Sequence, residues 1–233
     1  ILIVFFTFDG ISAQVYNFKN FTFDNGLTHS EISAICEGPD GNLWIGTLGD
    51  GLLRYDGISF ISHTESGGLV NNFVRSLYVD NNGLLWIGTE SGICIYDGMN
   101  FKSFGVIEGF EKVIVTVLYQ DSRSRYWIGT SRDGIYMWDG HIFKHFTREN
   151  YLTDNTIHCI IEDKDSAIWF GSNSGVSRYK NNTIINFGQR DGFTTDIVRS
   201  MCNDKDGNIW LATYHNGVFK YNGDSPVAYT TEE

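Results

Sequence analysis

A tryptophan recurs at Trp44, Trp86, Trp127, Trp169 and Trp210, at intervals of 42, 41, 42 and 41 residues. A repeat of that period constrains the architecture more than any local feature, because each unit must be a supersecondary element that buries its faces against copies of itself. The tryptophans stand in near-copies of one segment: GNLWIGTLGDGLLRYDG at 41–57, GLLWIGTESGICIYDG at 83–98, SRYWIGTSRDGIYMWDG at 124–140, SAIWFGSNSGVSRYKNN at 166–182 and GNIWLATYHNGVFKYNG at 207–223. Upstream the register holds without a gap. Twelve positions before each Trp lie Ile32, Val74, Val115, Ile157 and Val198, and nine before it lie Ile35, Leu77, Leu118, Ile160 and Met201. These apolar positions are expected in the core.

Each unit reads as four short strands. An apolar run leads into a turn such as GPDGN, DNNG or DKDGN, whose Gly, Asn and Asp tolerate tight backbone. The Trp strand follows, glycines then reverse the chain into a third strand, and YDG, WDG or YNG makes the next hairpin. A fourth strand such as SFISHT closes the unit. No stretch has the 3.6-residue periodicity of a long amphipathic helix, and 2 prolines with 26 glycines suit many strands joined by turns. The expected fold is all-β: a β-propeller of five four-stranded blades, closed as a five-bladed ring or forming an arc of a larger one. In the closed form, residues 16–23 would be zipped against the last unit. Residues 14–233 then make one domain, with units at 26–67, 68–108, 109–150, 151–191 and 192–233.

The pattern GL…(I/V)…DxxGxxWIGT…GxxxYDG…F, carried here by GLTHSEISAICEGPDGNLWIGTLGDGLLRYDGISF and its copies, resembles the two-component regulator propeller repeat over residues 16 to 223. The resemblance implies a periplasmic propeller acting as the sensing region of a histidine kinase, often a hybrid one in bacteria that degrade polysaccharides. The chain carries fewer repeats than the double propeller of such receptors, and none of its residues read as a kinase segment.

With 17 basic and 28 acidic residues the net charge is −11. No basic stripe is visible, which argues against DNA or RNA as partner. The opening ILIVFFTF, followed by DGISAQ, reads as the apolar core and cleavage end of a signal peptide, so residues 1–13 are expected to be its remnant and the protein periplasmic or secreted. That run is too short for a membrane span. Cys36, Cys94, Cys159 and Cys202 occupy small apolar positions in strands and are expected as free buried thiols, although Cys36 and Cys202 would be neighbours in a closed ring.

Nucleophile elbows, phosphate loops and HExxH metal motifs are missing from the sequence, and no cofactor or metal is expected. The DKDG at 204–207 and the carboxylates Asp56, Asp97 and Asp139 read as turn chemistry. Variation inside the repeat is more informative. Eleven positions before each Trp the residues are Ser33, Arg75, Thr116, His158 and Arg199, polar and mostly different. The loop between second and third strands, expected at the same mouth of the channel, carries Asp50, Glu90, Arg132, Asn173 and His215. Polar side chains converging on a concave mouth define a candidate ligand site, with a hydrated rim that binds nothing as the alternative.

Two function classes follow. One is a binding module that senses a small molecule or oligosaccharide, or docks a signalling partner protein, without chemistry. The other is an enzyme, since streptogramin-lyase-like propellers have similar Gly- and Trp-rich blades and a His-centred site in the channel. For glycoside cleavage, Asp50 with Glu90 is the candidate carboxylate pair. Oligomeric state is left open.

Overall fold

The structure is a computed structural model that describes residues 20–105 and 110–230. Twenty strands form five four-stranded antiparallel sheets, each in simple sequence order. Blade one holds β1 (Ile32–Glu37), β2 (Leu43–Thr47), β3 (Leu52–Tyr55) and β4 (Phe60–His63). Blade two holds β5 (Val74–Val79), β6 (Leu85–Thr89), β7 (Gly92–Tyr96) and β8 (Phe101–Ser103). Blade three holds β9 (Val115–Gln120), β10 (Tyr126–Thr130), β11 (Ile135–Trp138) and β12 (Phe143–Phe146). Blade four holds β13 (Ile157–Glu162), β14 (Ile168–Ser172), β15 (Gly175–Lys180) and β16 (Thr183–Phe187), and blade five β17 (Val198–Asn203), β18 (Ile209–Thr213), β19 (Val218–Tyr221) and β20 (Pro226–Tyr229). The helical segments among the described residues are single 3-10 turns.

The core is divided among the seams between blades. Trp44, Trp86, Trp127 and Trp169, each no more than 2% exposed, look forward into the next blade, while the apolar residues twelve and nine positions before each Trp look back into the previous one. Thus Trp127 packs with Ile157 and Ile160, and Trp169 with Val198 and Met201. Four of the five indoles are also tethered, Trp44 having Gly38 at the tethering position. The N–H of Trp86, Trp127, Trp169 and Trp210 donates to the carboxylate six residues earlier, Asp80, Asp121, Asp163 or Asp204, at 2.8–3.0 Å. The turn aspartates therefore do more than shape hairpins. Asp56, Asp97 and Asp139 act as turn acceptors for backbone N–H groups two and three residues on, and Asp97 also accepts from Lys102 Nζ at 2.7 Å.

Innermost strands pack in the order β1, β5, β9, β13, β17, with no comparable packing of β17 on β1. The backward face of blade one leaves Ile35 62% exposed, and the forward face of blade five leaves Trp210 partly open. The closing strand expected of residues 16–23 is not seen in its described part: Phe21 packs edge-on against Tyr55 and Phe60 of the first blade, because these rings offer it an apolar seat. Residues 16–19, like the expected signal remnant at 1–13, lie outside the described residues. All four cysteines are free thiols. Burial pushes Cys36 up to about 11 and Cys159 up to about 12. Cys202, expected to be buried, is exposed, since it points from the forward face of blade five where no blade covers it.

Candidate functional site at the bulged rim

Each innermost strand carries one β-bulge in the same place. Ile32 pairs with Thr47 and Ala34 with Gly46, so Ser33 is the extra residue, and the same skip falls on Arg75, Thr116, His158 and Arg199. The cause is visible in the repeat: residues twelve and nine positions before Trp both face the previous blade, an odd separation that a regular strand of period two cannot put on one face. One residue must be extruded, and its side chain is re-aimed out of the ladder. All five candidates from the innermost strands are these extruded residues.

They divide into two kinds. The short hydroxyls of Ser33 and Thr116 donate across the seam to the carbonyls of Val74 and Ile157, at 2.7 and 2.6 Å. The longer side chains pair instead with the residue fifteen positions on, in the loop after the second strand of the same blade. Arg75 Nε donates to Glu90 at 3.0 Å and its Nη group also meets that carboxylate. His158 Nε2 lies 2.7 Å from the Asn173 side-chain oxygen, and the Arg199 guanidinium sits 5.5 Å over the Tyr214 ring. In the same loop His215 Nδ1 lies 3.0 Å from Asp196. Burial pushes the Asp196 carboxyl up, but hydrogen bonds from the His215 side chain and from three backbone N–H groups outweigh it and hold it down at about 2.

The remaining loop candidates are less engaged. Asp50 is half-buried, its backbone N–H on the Thr47 hydroxyl, and Arg132 is exposed. Glu90 is neutralised by Arg75, so the Asp50 and Glu90 pair lacks two free carboxylates of the kind glycoside cleavage uses. Sequence reasoning named most of these residues, including Glu90 and Asp196 as local acids for the rim arginines; Glu90 does pair with Arg75, while Asp196 is taken by His215. The constant fifteen-residue offset from Arg75 to Glu90, His158 to Asn173 and Arg199 to Tyr214 was the available signal for the pairing.

Comparison with known proteins places this frame. A family model described as two component regulator propeller matches residues 26–49, 68–91, 151–174 and 192–215. Histidine kinase P4 of Formosa agariphila is 29% identical over 205 residues, covering 81% of this chain and 14% of the kinase. The extracellular domain of BT3049 from B. thetaiotaomicron, assigned to a hybrid two component system, superposes with a TM-score of 0.78 at 27% identity, over 89% of this chain and 29% of that one. Streptogramin B lyase shares the fold, with a TM-score of 0.67 at 14% identity over 87% of this chain and 70% of the lyase. The chain spans a small part of the kinase and under a third of the BT3049 domain. Four of the five repeats of this chain thus match the two component regulator propeller repeat, the repeat that its sequence pattern resembles.

Proposed function

We propose that the protein is a non-enzymatic sensor propeller of the periplasm or extracellular space, which binds an oligosaccharide, another small molecule or a signalling partner at its bulged rim. One observation carries this reading. On a frame whose Trp, Asp and apolar positions barely change, the extruded position varies from blade to blade as Ser33, Arg75, Thr116, His158 and Arg199. A bulge repeated next to a channel is a device for aiming side chains, and variation confined to the aimed residues is what recognition requires. Arg75 and Arg199 offer planar donor forks to carboxylates or vicinal hydroxyls. Titration calorimetry with acidic oligosaccharides tests it: wild type should bind, and Arg75→Ala combined with Arg199→Ala should weaken binding at least tenfold with the fold intact. Equal affinity in both removes these arginines from the site.

A second reading, a propeller lyase, has one observation in its favour. His215 is held by Asp196 through Nδ1 while its side chain stays 68% exposed, an arrangement that could serve a general base. Turnover of a streptogramin-type substrate that vanishes in His215→Ala would establish it, and absence of turnover in wild type would leave the sensor reading standing.

A further inference from the structure

On the face opposite the bulged rim, the first, third and fourth seams are each lined by the first turn of one blade and the first and third turns of the next. At the first seam this gives a small cavity bordered by Asp40 and Gly98, and at the fourth one where Lys164 and Arg178 are matched by Asp163 and Asp165 beside Gly223. The third seam departs from the pattern twice. The turn of blade three reads DSRSR at 121–125 where blades one, two and five have GPDGN, DNNGL and DKDGN, and the third turn of blade four reads YKNN at 179–182 where the others have YDG, WDG or YNG. Both departures replace acid or glycine by base or amide, and both border one cavity, of about 290 Å³, lined by Arg123, Arg125, Lys180, Ser166, Asn181 and Asn182 with Tyr179.

The donors are pre-set and largely unspent. Arg125 is held with its guanidinium 5.2 Å over the Trp127 ring and 5.5 Å over Tyr179, its Nε on Asp121 at 2.7 Å, which leaves its Nη groups unused. Arg123 and Lys180 make no ion pair among the described residues. The Tyr179 hydroxyl and Lys144 both donate to the Asn182 side-chain oxygen, so the Asn182 amide N–H groups are turned away from them. Asp121 is the carboxylate beside these cations, and its oxygens are already taken by Arg125, by the indole of Trp127 and by turn N–H groups. In a chain of net charge −11, three basic side chains around one cavity run against the composition.

We infer that the seam between blades three and four is a binding site for a tetrahedral oxyanion, a sulfate or phosphate group, held by Arg123, Arg125 and Lys180 with the Asn182 amide. Several charged donors from different directions suit a group with an oxygen on every side. The site lies away from the bulged rim and does not depend on its occupancy.

Thermal unfolding with inorganic sulfate, inorganic phosphate, acetate and chloride at equal ionic strength tests the assignment, since a ligand that binds only the folded state raises the midpoint by mass action. Sulfate or phosphate should raise the midpoint above chloride, acetate should not, and calorimetry should show at least a tenfold weaker affinity in Arg123→Ala combined with Lys180→Ala. These are surface positions, and circular dichroism of the variant checks its fold. Equal effects of all four salts overturn the proposal, as does an unchanged response in the double variant. Loss of the response in Arg75→Ala with Arg199→Ala instead would place the anion at the rim and overturn it too.

Discussion

Asp80 shows how one carboxylate can join a turn, a tryptophan and the next blade. Its Oδ1 accepts the backbone N–H groups of Asn82 and Leu84, and its Oδ2 accepts the Trp86 indole N–H at 2.9 Å and the Tyr126 hydroxyl at 2.7 Å. Trp86 and Tyr126 stack at 4.2 Å, so Asp80→Ala would strand two buried donors inside the second seam. The expected cost is about 3 kcal/mol in urea unfolding, from the loss of charge-assisted bonds and the unpaired donors left behind. Little change would mean that the indole and hydroxyl find other partners. The same carboxylates set the pH response. Burial pushes Asp80 up but its hydrogen bonds win and hold it below the usual range; the Asn208 amide and Trp210 indole hold Asp204 down, and Lys102 with two turn N–H groups holds Asp97 down. A carboxyl whose folded value is depressed contributes stability that is present above its unfolded pKa, about 3.9, and is lost as pH falls through the folded value. The carboxylate contribution should therefore be level from neutral pH to about 5 and decline below about 4, on top of a shallower loss below about 6.5 as His63, its pKa lowered by burial, is driven to take up a proton. A main decline that sets in above pH 5 would assign control to other groups.

At the scale of the strand, the glycine of the WIGT segment is decided by the following blade. A Cβ at Gly171 would sit 2.8 Å from Val198 Cγ1 and 2.5 Å from Cys159 Sγ, and Gly46, Gly88 and Gly129 meet the innermost strand of the next blade in the same way. In blade five the position is Ala212, and there no following strand packs on it. Gly171→Ala should cost about 1–3 kcal/mol by overpacking, whereas Ala212→Gly should cost under about 1 kcal/mol, the backbone-entropy penalty alone. Equal costs would mean that strand propensity, not the seam, selects the glycine. The four strands of each blade were legible because their turns and apolar runs are local signals. The bulge was legible only in retrospect, from the odd spacing of Val74 and Leu77, because it is forced by a neighbour that sequence does not name. The rim site was read as a set of positions, while its division into seam-bridging Ser33 and Thr116 and loop-paired Arg75, His158 and Arg199 depends on side-chain reach across the bulge. Closure was not legible, because terminal apolar strands such as PVAYTT and YNFKNFTF carry no label for the edge they pair with; in the structure PVAY becomes β20 of blade five.

Across the whole molecule, cohesion runs from neighbour to neighbour. Each of the four hydrophobic clusters belongs to a single seam, so a blade is held by the seams on its two sides and by its own hydrogen bonds. Blades two, three and four have two such seams. Among the described residues, blade one has no backward seam, with Ile35 exposed, and blade five no forward one, with Trp210 partly open and its ring stacked on Tyr229 of its own sheet at 5.6 Å. In an array of this kind local opening is cheapest at the ends, where one interface rather than two must be broken. Amide hydrogen exchange should therefore rank the protein from the middle outward: slowest in β9, β10, β13 and β14, faster in β1 and β2, and fastest in β19 and β20. Cutting a central seam with Trp127→Ala should raise exchange on both sides of it, in β10 and in β13, while Trp210→Ala should leave blades one to four unchanged. Uniform protection through all five blades, or a spread of the Trp210→Ala effect into β1, would show that the fifth blade grips the first as firmly as the others grip each other.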